Sequence, residues 1–281
     1  MSVCGPASPV PADSILHRYY GDWRGLLVGA GTGLLQLMHP AIGAGVIQHS
    51  KFFDEPFERV FRSLPPIIEA KLGGPRAPAA AARVREFHRD IKGRDEHGHR
   101  YHALQPDVWF WAHATFVMAD MTWVDLYDHP LTRAEREQFW EAGKTWYRLY
   151  GVSDRAMPDT LDEFDAYWDH TCRDVLELTE AAEWAVGAFD DPGRARPSAI
   201  PAPLWRVVGG RVMSEQRLAT AAMLPPSVRD KLGLAFGERE RRRFAGRVEL
   251  FRRTRPVVNP MVGAALRRLP YGRPRVDRHR A

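Results

Sequence analysis

Between Gly25 and Ile47 the chain carries no acidic or basic side chain except His39. A run that long without charge either crosses a bilayer or is buried at the centre of a folded domain. Pro40 and six glycines interrupt it. A proline removes a backbone donor and disfavours helix in the residue before it, and glycines let a neighbouring helix or a flat ligand come close. Arg24 and Lys51 place one cation at each end, so no charge bias would orient a span. The expectation is a pair of buried helices broken at His39-Pro40, with no stable membrane insertion. Gly29-Ala30-Gly31-Thr32-Gly33 looks superficially like a dinucleotide loop. Its spacing is wrong, and neither a preceding strand nor a βαβ pattern supports it.

The rest of the chain can surround such a centre. Its 281 residues are 44% hydrophobic, enough for one full core. No linker separates two domains, so residues 14–255 read as one all-α domain. Residues 1–13, rich in proline and small side chains, read as a disordered leader without the basic and apolar regions of a signal peptide. Residues 256–281 read as a basic tail. The net charge of +5 comes largely from arginine clusters at Arg239 to Arg243 and Arg267 to Arg280. No basic face interleaved with aromatics accompanies them, so solvated charge is the reading and no nucleic-acid partner is expected. Cys4 and Cys172 are the only cysteines. They imply neither a disulfide framework nor a thiolate metal site, which fits a reducing cytoplasm.

Helical signals run almost throughout. Asp13 or Ser14 can cap a first helix, Pro40 to Ser50 forms another, and Glu55-Pro56 opens one that Leu64-Pro65-Pro66 should end. Gly73-Gly74-Pro75 is a break, followed by a helix over Ala79 to Ile91. Gly93 to Pro106 is polar and reads as a loop or short hairpin. Apolar residues at helical spacing fill Pro106 to Tyr127, and Thr132 with Glu135 makes a capping box for a helix to Tyr150. Pro158 to Leu178 supplies another helix. The one long connector is Asp190 to Pro203, and helices follow over Leu204 to Met223, Ser227 to Leu232 and Gly237 to Phe251.

Three polar clusters sit within this apolar frame. His88 ends an alanine- and arginine-rich helix, with Val84 and Phe87 expected on its apolar side. A haem iron needs an uncharged imidazole projecting from a rigid element into an apolar slot. Arg59, Arg62 and Ser63 share one helical face. Two guanidinium groups there could clamp propionates or orient bound oxygen, though a solvated face is the ordinary use of such a pattern. His113 lies in Trp111-Ala112-His113-Ala114-Thr115 and could line the slot or play a structural part. No nucleophile elbow or closed carboxylate set accompanies these residues. A non-haem iron site could draw on His39, His49 and His88 or His113, but no adjacent carboxylate completes a facial triad.

Several of these segments resemble the MpaB and latex-clearing-protein (rubber oxygenase) family. The resemblance rests on His39 through Ser50, Arg59-Val60-Phe61-Arg62-Ser63, the Arg85-x-x-His88 region, Trp111 through Thr115, and Leu224-Pro225-Pro226-Ser227-Val228-Arg229. It spans roughly Ile15 to Leu234. It implies an all-α, globin-like domain holding haem b, with His88 as the iron ligand and Arg59, Arg85 and His113 near the cofactor. It also implies oxidative chemistry with dioxygen, and Arg59, Arg62 and Ser63 as active-site residues. Ser63 stands where the rubber oxygenases have threonine, and Arg62 where they have a lysine able to cap the iron. Arginine does not readily deprotonate to bind iron, so the expected substrate is a small apolar metabolite rather than a polymer. A haem sensor or carrier without turnover, or an all-α binding protein without cofactor, would share much of this sequence pattern.

Overall fold

The computed structural model describes residues 8–54 and 56–268, with side chains over 8–54 and 62–260. Among the described residues twelve α-helices and one two-stranded hairpin form the domain. The charge-free run folds as a 3₁₀ turn over Trp23–Val28, α2 over Gly29–Leu37 and α3 over Pro40–His49, preceded by the short α1, Ile15–Tyr19. Pro40 takes the first position of α3, where its missing N–H costs nothing, and His39 caps it with extended backbone. The two apolar halves meet at 98°, and no single described helix is long and apolar enough to cross a membrane.

Next come α4 over Pro56–Leu72, α5 over Ala77–Phe87, and strands β1, Lys92–Arg94, and β2, Arg100–His102. Two expectations fail in this region. The helix expected to stop at Leu64-Pro65-Pro66 runs on to Leu72 with both prolines inside it. Each proline deletes one helical hydrogen bond, but α4 packs along α5, and buried Glu69 holds Arg83 across the pair and Arg76 in the turn between them. In turn α5 ends at Phe87 instead of Ile91, and Phe87 is 70% exposed rather than on an apolar side. The polar stretch after it is the antiparallel hairpin, with Gly93 opposite Tyr101. Gln48 and His49, at the end of α3, reach the carbonyls of Arg94 and Lys92, and the Tyr101 hydroxyl donates to Gln48.

The centre of the domain is α6, Pro106–Tyr127. Phe110, Trp111, Met121, Val124 and Tyr127 on it are fully buried. It packs against α2, against the Trp23–Val28 turn, and against α7, Arg133–Leu149. The Thr132–Glu135 capping box that opens α7 is present with both of its hydrogen bonds. A second box, Thr160 with Glu163, opens α8 over Leu161–His170, which loosens into a π turn over Thr171–Val175. The short α9, Glu180–Gly187, has no counterpart in the sequence expectations. Beyond the connector lie α10, Ala202–Met223; α11, Pro226–Lys231; and α12, Glu238–Arg268. The expected basic tail from residue 256 therefore begins inside α12. At the other end Val10, within the expected leader, is buried in the core.

Candidate functional site

His88 is the residue that stops α5, with φ −104° and ψ 0° at the helix cap. Its Nδ1 lies 2.8 Å from the Val84 carbonyl one turn back. A carbonyl only accepts, so Nδ1 carries a proton, which in the neutral ring leaves the lone pair on Nε2. The ring is half-buried and stands edge-on to Trp109, with centroids 5.1 Å apart. Trp109 meets Tyr150 at 5.3 Å, and Tyr150 meets His113 at 6.1 Å. Arg85 joins this group from the last turn of α5, donating from Nη1 to the Tyr150 carbonyl at 3.0 Å. The structure thus gathers His88, Arg85 and His113 around Trp109 and Tyr150. Sequence reasoning missed Tyr150 as the hub, because nothing local marks the residue that caps α7 as a neighbour of Arg85, Trp109 and His113.

His113 is 3% exposed. Its Nε2–H donates to the Gly143 carbonyl at 3.0 Å, which joins α6 to α7. The helices are close at this point: a Cβ on Gly143 would lie 2.8 Å from Val117 Cγ2. Burial pushes the imidazole down to about 3, so it is neutral at ordinary pH. Its Nδ1 and the Trp109 indole nitrogen are buried without a hydrogen-bond partner among the described residues. Beyond it Lys71 of α4 forms an ion pair with Asp120 of α6 and lies 5.4 Å from the Trp146 ring centre. Burial raises the Asp120 carboxyl and Lys71 opposes that rise. This pair anchors the C-terminal part of α4 to α6, and no spacing in the sequence announces it.

Arg62 and Ser63 sit at exposed positions on α4. The Arg59 side chain lies outside the described residues. His39 is pushed down to about 4 by burial. His49 instead faces Lys92, and among the described residues no three His, Cys, Asp or Glu side chains group so as to hold a metal ion. The other family-like segments serve packing. Trp111 donates to the Leu35 carbonyl, and Thr115 accepts from Gln36, both tying α6 to α2. Arg229 donates to the Leu224 carbonyl at 2.6 Å and covers the Phe236 ring, closing the end of α10.

The all-α domain that carries these segments in order is, by its family, an oxygenase catalytic domain. Residues 17–259 match the model of the family described as ER-bound oxygenase mpaB/B'/Rubber oxygenase, catalytic domain, and the chain belongs to that family. No curated protein and no solved structure matches it.

Proposed function

We propose that this oxygenase holds haem b through His88 and uses dioxygen to oxidise or cleave a small apolar metabolite. The observation that carries the reading is the Val84 carbonyl on His88 Nδ1, which fixes the ring and directs the lone pair to Nε2. Metal-binding histidines characteristically have the other ring nitrogen tied in this way, which orients the ring and raises ligand basicity. A single histidine donor suits a porphyrin, which brings its own nitrogens, better than it suits a site built from several side chains. Bound there, haem would supply the binding and activation of dioxygen.

The chain's own groups then divide the remaining tasks. Trp109 buttresses the His88 ring edge-on, and Arg85 holds the backbone at Tyr150 that backs Trp109. His113, neutral and clamped to Gly143, keeps the α6–α7 seam dry and uncharged beside them. Arg59, Arg62 and Ser63 are assigned to the oxygen or propionate side, where fixed cations and a hydroxyl stabilise developing negative charge. Arg62 cannot cap iron as a neutral nitrogen, which favours an open site and a small substrate over polymer cleavage.

The test is the absorption spectrum of purified variants. His88→Ala should lose most of the Soret band, whereas His97→Ala, in the exposed hairpin loop, should keep it. Retention of the full band in both variants would overturn the ligand assignment. Efficient cleavage of polyisoprene would overturn the small-substrate assignment separately.

A further inference from the structure

A cavity of about 290 Å³ opens between the Trp23–Val28 turn, α10 and α12. Its walls are apolar, formed by Leu27, Val212, Leu218, Phe244 and Phe251. Its size falls just below that of drug-sized sites, which run from roughly 300 Å³ upward, so it suits a smaller molecule. Tyr127 closes one side and belongs to the last turn of α6. Trp109, beside His88, belongs to the first turn of the same helix. At a rise of 1.5 Å per residue the two lie roughly 27 Å apart along α6. The cavity is therefore separate from the candidate haem site, and a ligand held in it would not touch haem.

Three charged side chains line the cavity: Arg211, Glu215 and Arg247. Glu215 is already engaged, accepting from Arg247 at 2.8 and 2.9 Å and from Arg243 at 2.7 Å. These two cations hold its carboxyl down to about 2, so it is ionised and neutralised at ordinary pH. Arg211, one turn before it, has no ion-pair or hydrogen-bond partner among the described residues. The wall thus presents an apolar volume with one uncommitted guanidinium and an excess of positive charge. Guanidinium matches a carboxylate in two parallel hydrogen bonds. Tyr127 also lines the cavity, and its buried hydroxyl has no hydrogen-bond partner among the described residues. A buried tyrosine hydroxyl normally has one.

We propose that this cavity is a second binding site, for a small apolar carboxylic acid, with Arg211 holding the carboxylate and the Leu27–Phe251 wall holding the hydrocarbon. Occupancy would press the Trp23–Val28 turn and α12 onto α10, so binding should raise the unfolding temperature.

Isothermal titration of the full-length protein as isolated tests this with 3-phenylpropionate, its neutral analogue 3-phenylpropan-1-ol, and acetate. The acid should bind at least tenfold more tightly than the alcohol, and acetate alone should not register. Arg211 is exposed, so Arg211→Gln should fold normally, yet it should erase the preference for acid over alcohol. Val212→Trp, which fills the cavity from its exposed side, should abolish binding of both. The same affinity should persist in His88→Ala. Absence of binding by the wild-type protein would overturn the proposal, as would equal affinity for acid and alcohol or binding unchanged in both cavity variants. Loss of binding only in His88→Ala would send the acid to the candidate haem site and overturn it as well.

Discussion

Acidification should loosen the seam between α6 and α7 through His113. The imidazole sits at about 3 in the folded chain against an ordinary 6.5. For a base whose folded value is depressed, the stabilisation is present in full above 6.5 and is lost as pH falls toward 3. Over that window the unfolded chain takes up a proton that the folded chain refuses. Each pH unit inside the window is worth about 1.4 kcal/mol. Moving from pH 7 to pH 5 should therefore remove about 2 kcal/mol through this residue alone. Urea unfolding at both pH values, in the wild-type protein and in His113→Gln, isolates the effect. Glutamine retains an N–H for the Gly143 carbonyl and does not titrate. His39, with its own depressed value, and the lowered carboxyls of Asp22 and Asp128 are common to both proteins and cancel in the difference. The wild-type protein should lose about 2 kcal/mol more than the variant across the step. Equal losses would refute a buried, neutral His113.

Two further perturbations test the packing around the site. Arg24 is 1% exposed, pairs with Asp22 and Asp128 at 2.8 Å, and donates to the Tyr127 carbonyl. Arg24→Met removes the buried cation shared by two carboxylates but leaves Asp22 with Arg255 and Asp128 with His129, and should cost about 2–3 kcal/mol in urea unfolding, with partial recovery on adding Asp22→Asn. A loss below about 1 kcal/mol would mean the network contributes little. At Gly43 a Cβ would lie 2.7 Å from the Leu37 carbonyl oxygen and 2.8 Å from Thr179 Oγ1. Gly43→Ala should destabilise by about 1–3 kcal/mol despite alanine's better helix propensity, and a raised melting temperature would contradict that contact.

Features set by near neighbours are legible in the sequence. The Thr132–Glu135 box, the helix from Pro106 to Tyr127 and the break at His39-Pro40 all depend on residues within one or two turns. His88 at a helix end is legible for the same reason. Misreadings arise where a distant partner overrides local preference. Pro65 and Pro66 stay inside α4 because the helix packs along α5 and Glu69, just beyond them, is paired with Arg76 and Arg83. Phe87 turns outward because α5 stops beneath it and His88 folds back on Val84. Tyr150 beside Trp109, Lys71 on Asp120 and Arg24 on Asp128 join positions with no shared motif. The eight-residue α9 escapes a sequence reading because part of its support lies across the domain, at Leu37.

That last contact bears on the order in which the chain can fold. Breaking the apolar run at His39 strips the end of α2 of helical partners, and two of its carbonyls are satisfied from far away. Thr179 Oγ1 donates to Leu37 at 2.7 Å, and the Glu177 amide donates to Met38 at 3.0 Å. The donor at Thr179 lies 142 residues downstream of the acceptor it serves. A nascent chain therefore makes α2 and α3 well before the donors at Glu177 and Thr179, and until that segment emerges these carbonyls must be met by water. Closure over that separation is slow and leaves apolar surface open to wrong partners meanwhile. Thr179 is thus a latch that completes the α2–α3 joint only after a further 142 residues have been added.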